Sequence, residues 1–102
     1  MNENTPKKVL GLLSLCRRAG RLTVGMEAAL EKAQKGEAAL ILLAEDLSPH
    51  SAERLQRKLP QGVTVRSLPC TMQTLSVVTG KKTGILAVCD ENFAGGFRAY
   101  LD

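Results

Sequence analysis

The segment Ala38-Ala39-Leu40-Ile41-Leu42-Leu43-Ala44 constrains this chain more than any other. An unbroken apolar run has no polar side to turn toward water. It is too short for an ordinary helix and far below the roughly 20 residues that span a bilayer. It predicts a central strand covered on both faces, and such a strand demands helices on two sides of a sheet.

The flanking sequence supplies those helices. Thr5-Pro6 reads as an N-cap followed by proline at the first helical position, and Val9, Leu12, Leu13, Cys16 and Ala19 repeat at helical spacing up to Gly20. Arg21-Leu22-Thr23-Val24 alternates polar and apolar residues and predicts a short strand ended by Gly25. Met26, Ala29, Leu30 and Ala33 make the inner face of a second helix, which stops at Gly36, a residue suited to the left-handed C-terminal position. Beyond the central run, Ser48-Pro49 caps a third helix with Ala52, Leu55 and Leu59 inward, Pro60-Gln61-Gly62 turns, and Val63 to Leu68 is a strand. Thr71 begins a fourth helix through Val78, Gly80 to Gly84 is a polar loop, Ile85 to Val88 is a second buried strand, and Asn92 to Leu101 is a terminal helix. The expected fold class is α/β: a three-layer α/β/α sandwich with an about four-stranded mixed sheet and five helices, in a single domain over residues 1–102.

Charge is distributed unevenly. Residues 1 to 36 hold Lys7, Lys8, Arg17, Arg18, Arg21, Lys32 and Lys35 against Glu3, Glu27 and Glu31, so the whole formal net charge of +4 resides there and the remainder balances. A positive field confined to one third of a chain suits a polyanionic partner and centres attention on Arg17 to Lys35. The start Met1-Asn2-Glu3-Asn4 lacks the basic and apolar order of a signal peptide, so a cytoplasmic protein without a membrane segment is expected. Cys16, Cys70 and Cys89 are odd in number and widely spaced, which argues against a disulfide framework and against a zinc site.

Catalytic chemistry finds little support. His50 is the single histidine and falls in the first turn of the third helix, an exposed position without a defined partner. Cys16 and Cys89 fall on apolar positions and read as core fillers, whereas Cys70, just before a helix, is the one thiol whose position would lower its pKa. Glu45-Asp46 closes the central strand, where open α/β sheets place ligands, and two carboxylates there suggest a magnesium site of the receiver type. Such a site needs further acids and a lysine at other strand ends, roles that only Asp90-Glu91 and Lys81 or Lys82 are left to fill. Gly80-Lys81-Lys82-Thr83-Gly84 lacks the spacing of a nucleotide-binding loop and precedes a strand instead of a helix. No enzyme activity, metal or cofactor is expected, and no small-molecule substrate.

The aromatics Phe93, Phe97 and Tyr100 all fall in the last helix, which disfavours base stacking on an aromatic platform. A binder of shaped RNA remains, one that uses a helix N-terminus with arginines nearby. The residues Arg18-Ala19-Gly20-Arg21-Leu22-Thr23-Val24-Gly25-Met26-Glu27, then Lys35-Gly36, then Leu42-Leu43-Ala44-Glu45-Asp46-Leu47-Ser48-Pro49 carry a pattern. With them the chain resembles the ribosomal-protein family that binds kink-turn RNA, and most closely its bacterial YlxQ-like branch.

That resemblance implies a sandwich fold that grips the bent internal loop of an RNA duplex. The start of helix two would enter the groove at sheared G·A pairs, while the loop before the last strand would touch an extruded nucleotide. Carried over by position, the first element falls on Gly25, Met26, Glu27, Ala28 and Glu31, with Arg21 and Thr23 leading into it, and the second on Gly80, Lys81, Lys82, Thr83 and Gly84. Arg18 and Lys32 extend the basic surface. Two positions depart from the family pattern. Strong kink-turn binders carry Asn-Glu or Lys-Gln where this chain has Glu27-Ala28, and a lysine where it has Glu31; Lys32 and Lys35 stand nearby. The implied partner is structured RNA, in the first place ribosomal RNA, bound by a monomer as part of a ribonucleoprotein. A protein-interaction module of the same fold that has lost kink-turn affinity is the alternative.

Overall fold

The computed structural model describes residues 4–102. The opening Met1-Asn2-Glu3, on which the reading of the chain start and one acid of the charge balance rest, lies outside the described residues. The elements in order are α1 (Thr5–Arg18), β1 (Leu22–Val24), α2 (Met26–Gln34), β2 (Leu40–Leu43), α3 (Pro49–Lys58), β3 (Val65–Ser67), α4 (Met72–Thr79), β4 (Ile85–Val88) and α5 (Glu91–Leu101). The strands form one mixed sheet in the order β1-β4-β2-β3, with β4 antiparallel to both β1 and β2, and β3 parallel to β2.

The apolar run forms its strand as its composition requires. All four residues of β2 are buried, and so are all four of β4. Strand alternation then divides the core in two. Leu40 and Leu42 of β2, with Leu86 and Val88 of β4, meet Val9 and Leu13 of α1, Leu75 of α4 and Phe97 of α5 on one face. Ile41, Leu43, Ile85 and Ala87 point the other way, onto Ala29 and Leu30 of α2 and Leu55 of α3. This is the expected α/β/α sandwich, and each fully buried leucine in it stabilises the fold by about 1.5–3 kcal/mol.

Several boundaries differ from the sequence expectation for local reasons. Thr5 is the first helical residue and is buried, with Asn4 in the cap position. The last helix starts at Glu91, one residue before the expected Asn92, because Asp90 caps it, accepting a hydrogen bond from the Phe93 N–H at 3.0 Å. The third strand shrinks from Val63–Leu68 to Val65–Ser67, since an edge strand pairs only where β2 reaches it. Ser48 caps α3 as expected, accepting from the Ser51 N–H, and Thr71, expected as the first residue of α4, instead caps it, accepting from the Thr74 N–H. Both Gly20 and Gly36 have φ near +75°. Behind each, paired backbone bonds seal a helix end: Gly20 N–H to Arg17 O with Arg21 N–H to Cys16 O, and Gly36 N–H to Ala33 O with Glu37 N–H to Lys32 O. Among the described residues no helix is long and apolar enough to cross a membrane.

Candidate nucleic-acid interface

The sheet order brings together segments far apart in sequence. Because Val24 pairs with Leu86, the end of β1 lies beside the start of β4, so the first turn of α2 adjoins the loop 80–84. Gly25 makes this junction. Its N–H donates to the Ile85 carbonyl at 2.9 Å, and its φ of 103° with ψ of 153° is a backbone region essentially reserved to glycine. As the N-cap of α2 it offers no side-chain acceptor, so the N–H groups of Met26, Glu27 and Ala28 have no partner inside the helix. A β-carbon at Gly25 would stand 3.8 Å from Lys81 Nζ. The Lys81 ammonium therefore lies close to the positive end of a helix, and among the described residues no carboxylate pairs with it.

The loop that carries Lys81 is fixed at both ends. Gly80 ends α4 in the left-handed conformation, and the Arg17 guanidinium donates to the Val78 carbonyl beside it. The buried Thr79 hydroxyl bonds to the Lys81 carbonyl at 2.7 Å. At the other end, the Gly84 carbonyl accepts the Ala44 N–H, and a β-carbon there would come within 2.8 Å of Leu47 Cδ1 and 3.1 Å of Met72 Sδ. Between these anchors Lys81 and Lys82 are exposed and Thr83 is half-buried.

The remaining predicted residues lie elsewhere. Arg21, Thr23 and Lys32 line a cleft of about 460 Å³ with Gly20, Glu37 and Cys89, toward the C-terminal end of α2. Lys32 reaches it from the last turn of α2, about 9 Å along the axis from Met26, whereas Thr23 stands two residues before Gly25. There Lys32 pairs with Glu37 at 3.0 Å, across the turn that ends α2. Arg18 is exposed on the last turn of α1. Glu31 and Lys35 pair at 2.9 Å one turn apart, as their spacing predicts; the Lys35 hydrogen bond holds the Glu31 carboxyl below its usual value and raises that of Lys35. Glu27 and Ala28 are exposed, and Met26 packs at the edge of the α2–α3 core.

The enzyme-like features take other roles. The Asp46 carboxylate accepts the Met72 N–H at 2.9 Å and so secures the start of α4, while Glu45 is exposed. Cys70 does not have a depressed pKa: burial raises it, and the charge of Glu45 adds to the shift. Cys16 is fully buried and its thiol is pushed up to about 11, mainly by desolvation. Cys89 is half-buried, with its sulfur 3.7 Å from the Thr23 hydroxyl, and His50 is exposed. Sequence reasoning missed Thr79 and the capping roles of Arg17 and Asp46. Only the helix-ending pair Thr79-Gly80 carried a local signal; the other two contacts are long-range.

Residues 7–94 match the profile of the ribosomal protein L7Ae/L30e/S12e/Gadd45 family. The chain is 26% identical over 98 residues to the RNA-binding protein YlxQ of Enterococcus faecium, a match covering 92% of this chain and 91% of that protein. Among solved structures, a protein with unknown function from Bacillus halodurans superposes with a TM-score of 0.79 at 28% identity, covering 89% of this chain and 93% of that one. The 15.5kD RNA binding protein of Giardia lamblia shares the fold, with a TM-score of 0.68 at 18% identity over 99% and 93% of the two chains. With its profile matched over most of its length, the chain belongs to the ribosomal protein L7Ae/L30e/S12e/Gadd45 family.

Proposed function

We propose that this protein binds structured RNA of the kink-turn class, ribosomal RNA in the first place, by closing the first turn of α2 and the loop 80–84 on a sharply bent backbone. It does so as a cytoplasmic monomer and performs no catalysis on a small molecule. The observation that carries this reading is the placement of Lys81 over the N-terminus of α2 at Gly25. A cation beside the partial positive charge of a helix end is unfavourable in the free protein, and a phosphate between them satisfies both. The N–H groups of Met26 to Ala28, which have no partner inside the helix, add donors for phosphate or base edges, and Lys82 and Thr83 extend the contact.

The Glu31 carboxylate stands where strong kink-turn binders carry lysine, yet Lys35 pairs with it, so the reversal is largely neutralised within the helix. Arg18, Arg21 and Lys32 lie farther along and supply weaker, nonspecific attraction. RNA-binding relatives by name support this reading.

The test is a salt titration of RNA binding by Lys81→Ala beside Lys32→Ala. Loss of Lys81 is expected to weaken binding severalfold and to lower the salt slope by about 1, whereas loss of Lys32, already paired to Glu37, leaves both nearly unchanged. Equal effects of the two substitutions would remove the α2–loop junction from the interface and leave general attraction to the basic segment.

A further inference from the structure

The sheet ends at β1 on one side and at β3 on the other, and the two edges are finished differently. Along β3, Thr64 and Leu68 turn toward β2: Ile41 N–H donates to the Thr64 carbonyl at 2.9 Å and Leu68 N–H to the Leu43 carbonyl at 2.7 Å. The Val65 carbonyl therefore faces outward, and it is already taken, because the Arg66 guanidinium donates to it at 3.0 Å. Arg66 is held in turn by Asp102 at 2.9 Å. A charged side chain laid along an edge keeps further strands off it.

Strand β1 has no such closure. Cys89 N–H donates to the Arg21 carbonyl at 2.8 Å and Gly25 N–H to the Ile85 carbonyl at 2.9 Å, with Thr23 opposite Ala87 between them. Bonded residues alternate in an antiparallel ladder, so Arg21, Thr23 and Gly25 face β4, and the N–H and C=O groups of Leu22 and Val24 point outward. Among the described residues no hydrogen bond reaches these outward groups. All three residues of β1 are only half-buried. Its side chains alternate as well. Leu22 and Val24 lean on the core under α1, whereas Arg21 and Thr23 share the other face with Cys89, lining the cleft of about 460 Å³. Neither Arg21 nor the exposed Arg18 pairs with a carboxylate among the described residues.

We propose that β1 takes up an extended acidic segment of a protein partner as a fifth strand of the sheet, antiparallel to it, with apolar residues opposite Leu22 and Val24 and carboxylates at alternate positions beside Arg21. Antiparallel pairing is the more stable arrangement, and it lets the residues opposite Leu22 and Val24 exchange both backbone bonds with them. Those residues share the face of Leu22 and Val24 and extend the core under α1. The residues opposite Arg21 and Thr23 point into the cleft, where Arg21 supplies the attraction because Glu37 already answers Lys32. Charge argues against a second copy of this chain. Two β1 edges paired about Thr23 would set Arg21 of one copy against Gly25 of the other, where a β-carbon would stand 3.8 Å from Lys81 Nζ. RNA fits poorly, since half of the outward groups are carbonyls, which repel phosphate and which a peptide backbone uses.

The experiment titrates the isotope-labelled full chain with a short, terminally blocked peptide alternating glutamate and valine, following backbone amide shifts and hydrogen exchange. Three controls run beside it: the same peptide N-methylated at its valines, a lysine–valine counterpart, and a straight RNA duplex. The glutamate–valine peptide is expected to shift the Leu22 and Val24 amides and to slow their exchange by about tenfold or more at saturation. N-methylation of the valines removes the donors to the Leu22 and Val24 carbonyls and no charge, and it should abolish binding. Arg21→Glu should weaken the peptide by on the order of tenfold. Unchanged binding of the N-methylated peptide, equal binding of the lysine peptide, or the same protection from the duplex would each overturn the proposal. So would protection in the free protein that disappears on dilution, the mark of a dimer through this edge, or the absence of any shift at Leu22 and Val24.

Discussion

The two ends of α2 both carry charged groups and use them differently. At its start, Lys81 stands over Gly25 without a carboxylate partner among the described residues, and three backbone N–H groups lack partners within the helix. At its finish, Lys32 and Glu37 are paired and the Gly36 turn satisfies its carbonyls, around a cleft lined by Arg21, Thr23 and Cys89. At one end Lys81 pairs with no carboxylate among the described residues; at the other Lys32 is already answered by Glu37, although Arg21 in the same cleft pairs with none. Net charge along the sequence does not separate these cases. What separates them is whether a cation's neighbours in space already answer it.

If this division is right, changes at the finish should alter stability and changes at the start should alter binding. The largest effect concerns Cys16, whose buried thiol feels Cys89 and Asp90 beyond that cleft. Burial pushes its folded pKa up to about 11, above the ordinary thiol value of 9.0, so stability is intact below about pH 9 and falls as pH rises toward 11. The loss should reach about 2–3 kcal/mol. Alkaline denaturation of the wild type against Cys16→Ala isolates it, because the variant lacks this component.

Next come two glycines that both need positive φ. Gly25→Ala is expected to destabilise by about 1–3 kcal/mol and also to weaken RNA binding, since it re-aims the first turn of α2. Gly36→Ala should cost about 1–2 kcal/mol with RNA affinity unchanged. Denaturant midpoints and RNA titrations on both variants would break the comparison if Gly36→Ala impaired binding as much.

The smallest effect belongs to the Glu31–Lys35 pair, which is fully exposed. With the Glu31 carboxyl held below its usual value, its contribution is present at neutral pH and fades as pH falls through the lowered folded value. Glu31→Gln should remove this acid-dependent component alone, visible as a slightly flatter stability profile below about pH 4.5, the ordinary range of a glutamate.

Much of the fold was legible because β2, β4 and the amphipathic helices each state their burial in a short window. Leu40 to Leu43 can only be a two-sided strand, and Val9, Leu13 and Cys16 can only face inward together. The failures were of reach. Asp46 caps the start of α4, 26 positions later, and Arg17 closes the other end of the same helix at Val78, 61 positions later. Cys70 was placed correctly before a helix, but burial outweighs the helix end and raises its pKa. For the candidate site, the residue types at Gly25 and Lys81 were visible. Their juxtaposition follows from β1 pairing with β4 instead of with β2, an order that strand patterns do not encode.

The central claim is that the α2 start and the loop 80–84 form one clamp for bent RNA. The most direct measurement is binding to a consensus kink-turn RNA and to a straight duplex of equal length, across a salt series, with the RNA held below the dissociation constant. The account predicts a preference for the kink-turn that persists as salt rises, because shape is read in addition to phosphate. Equal binding to the two RNAs with the same salt slope, or no binding to either, would contradict it.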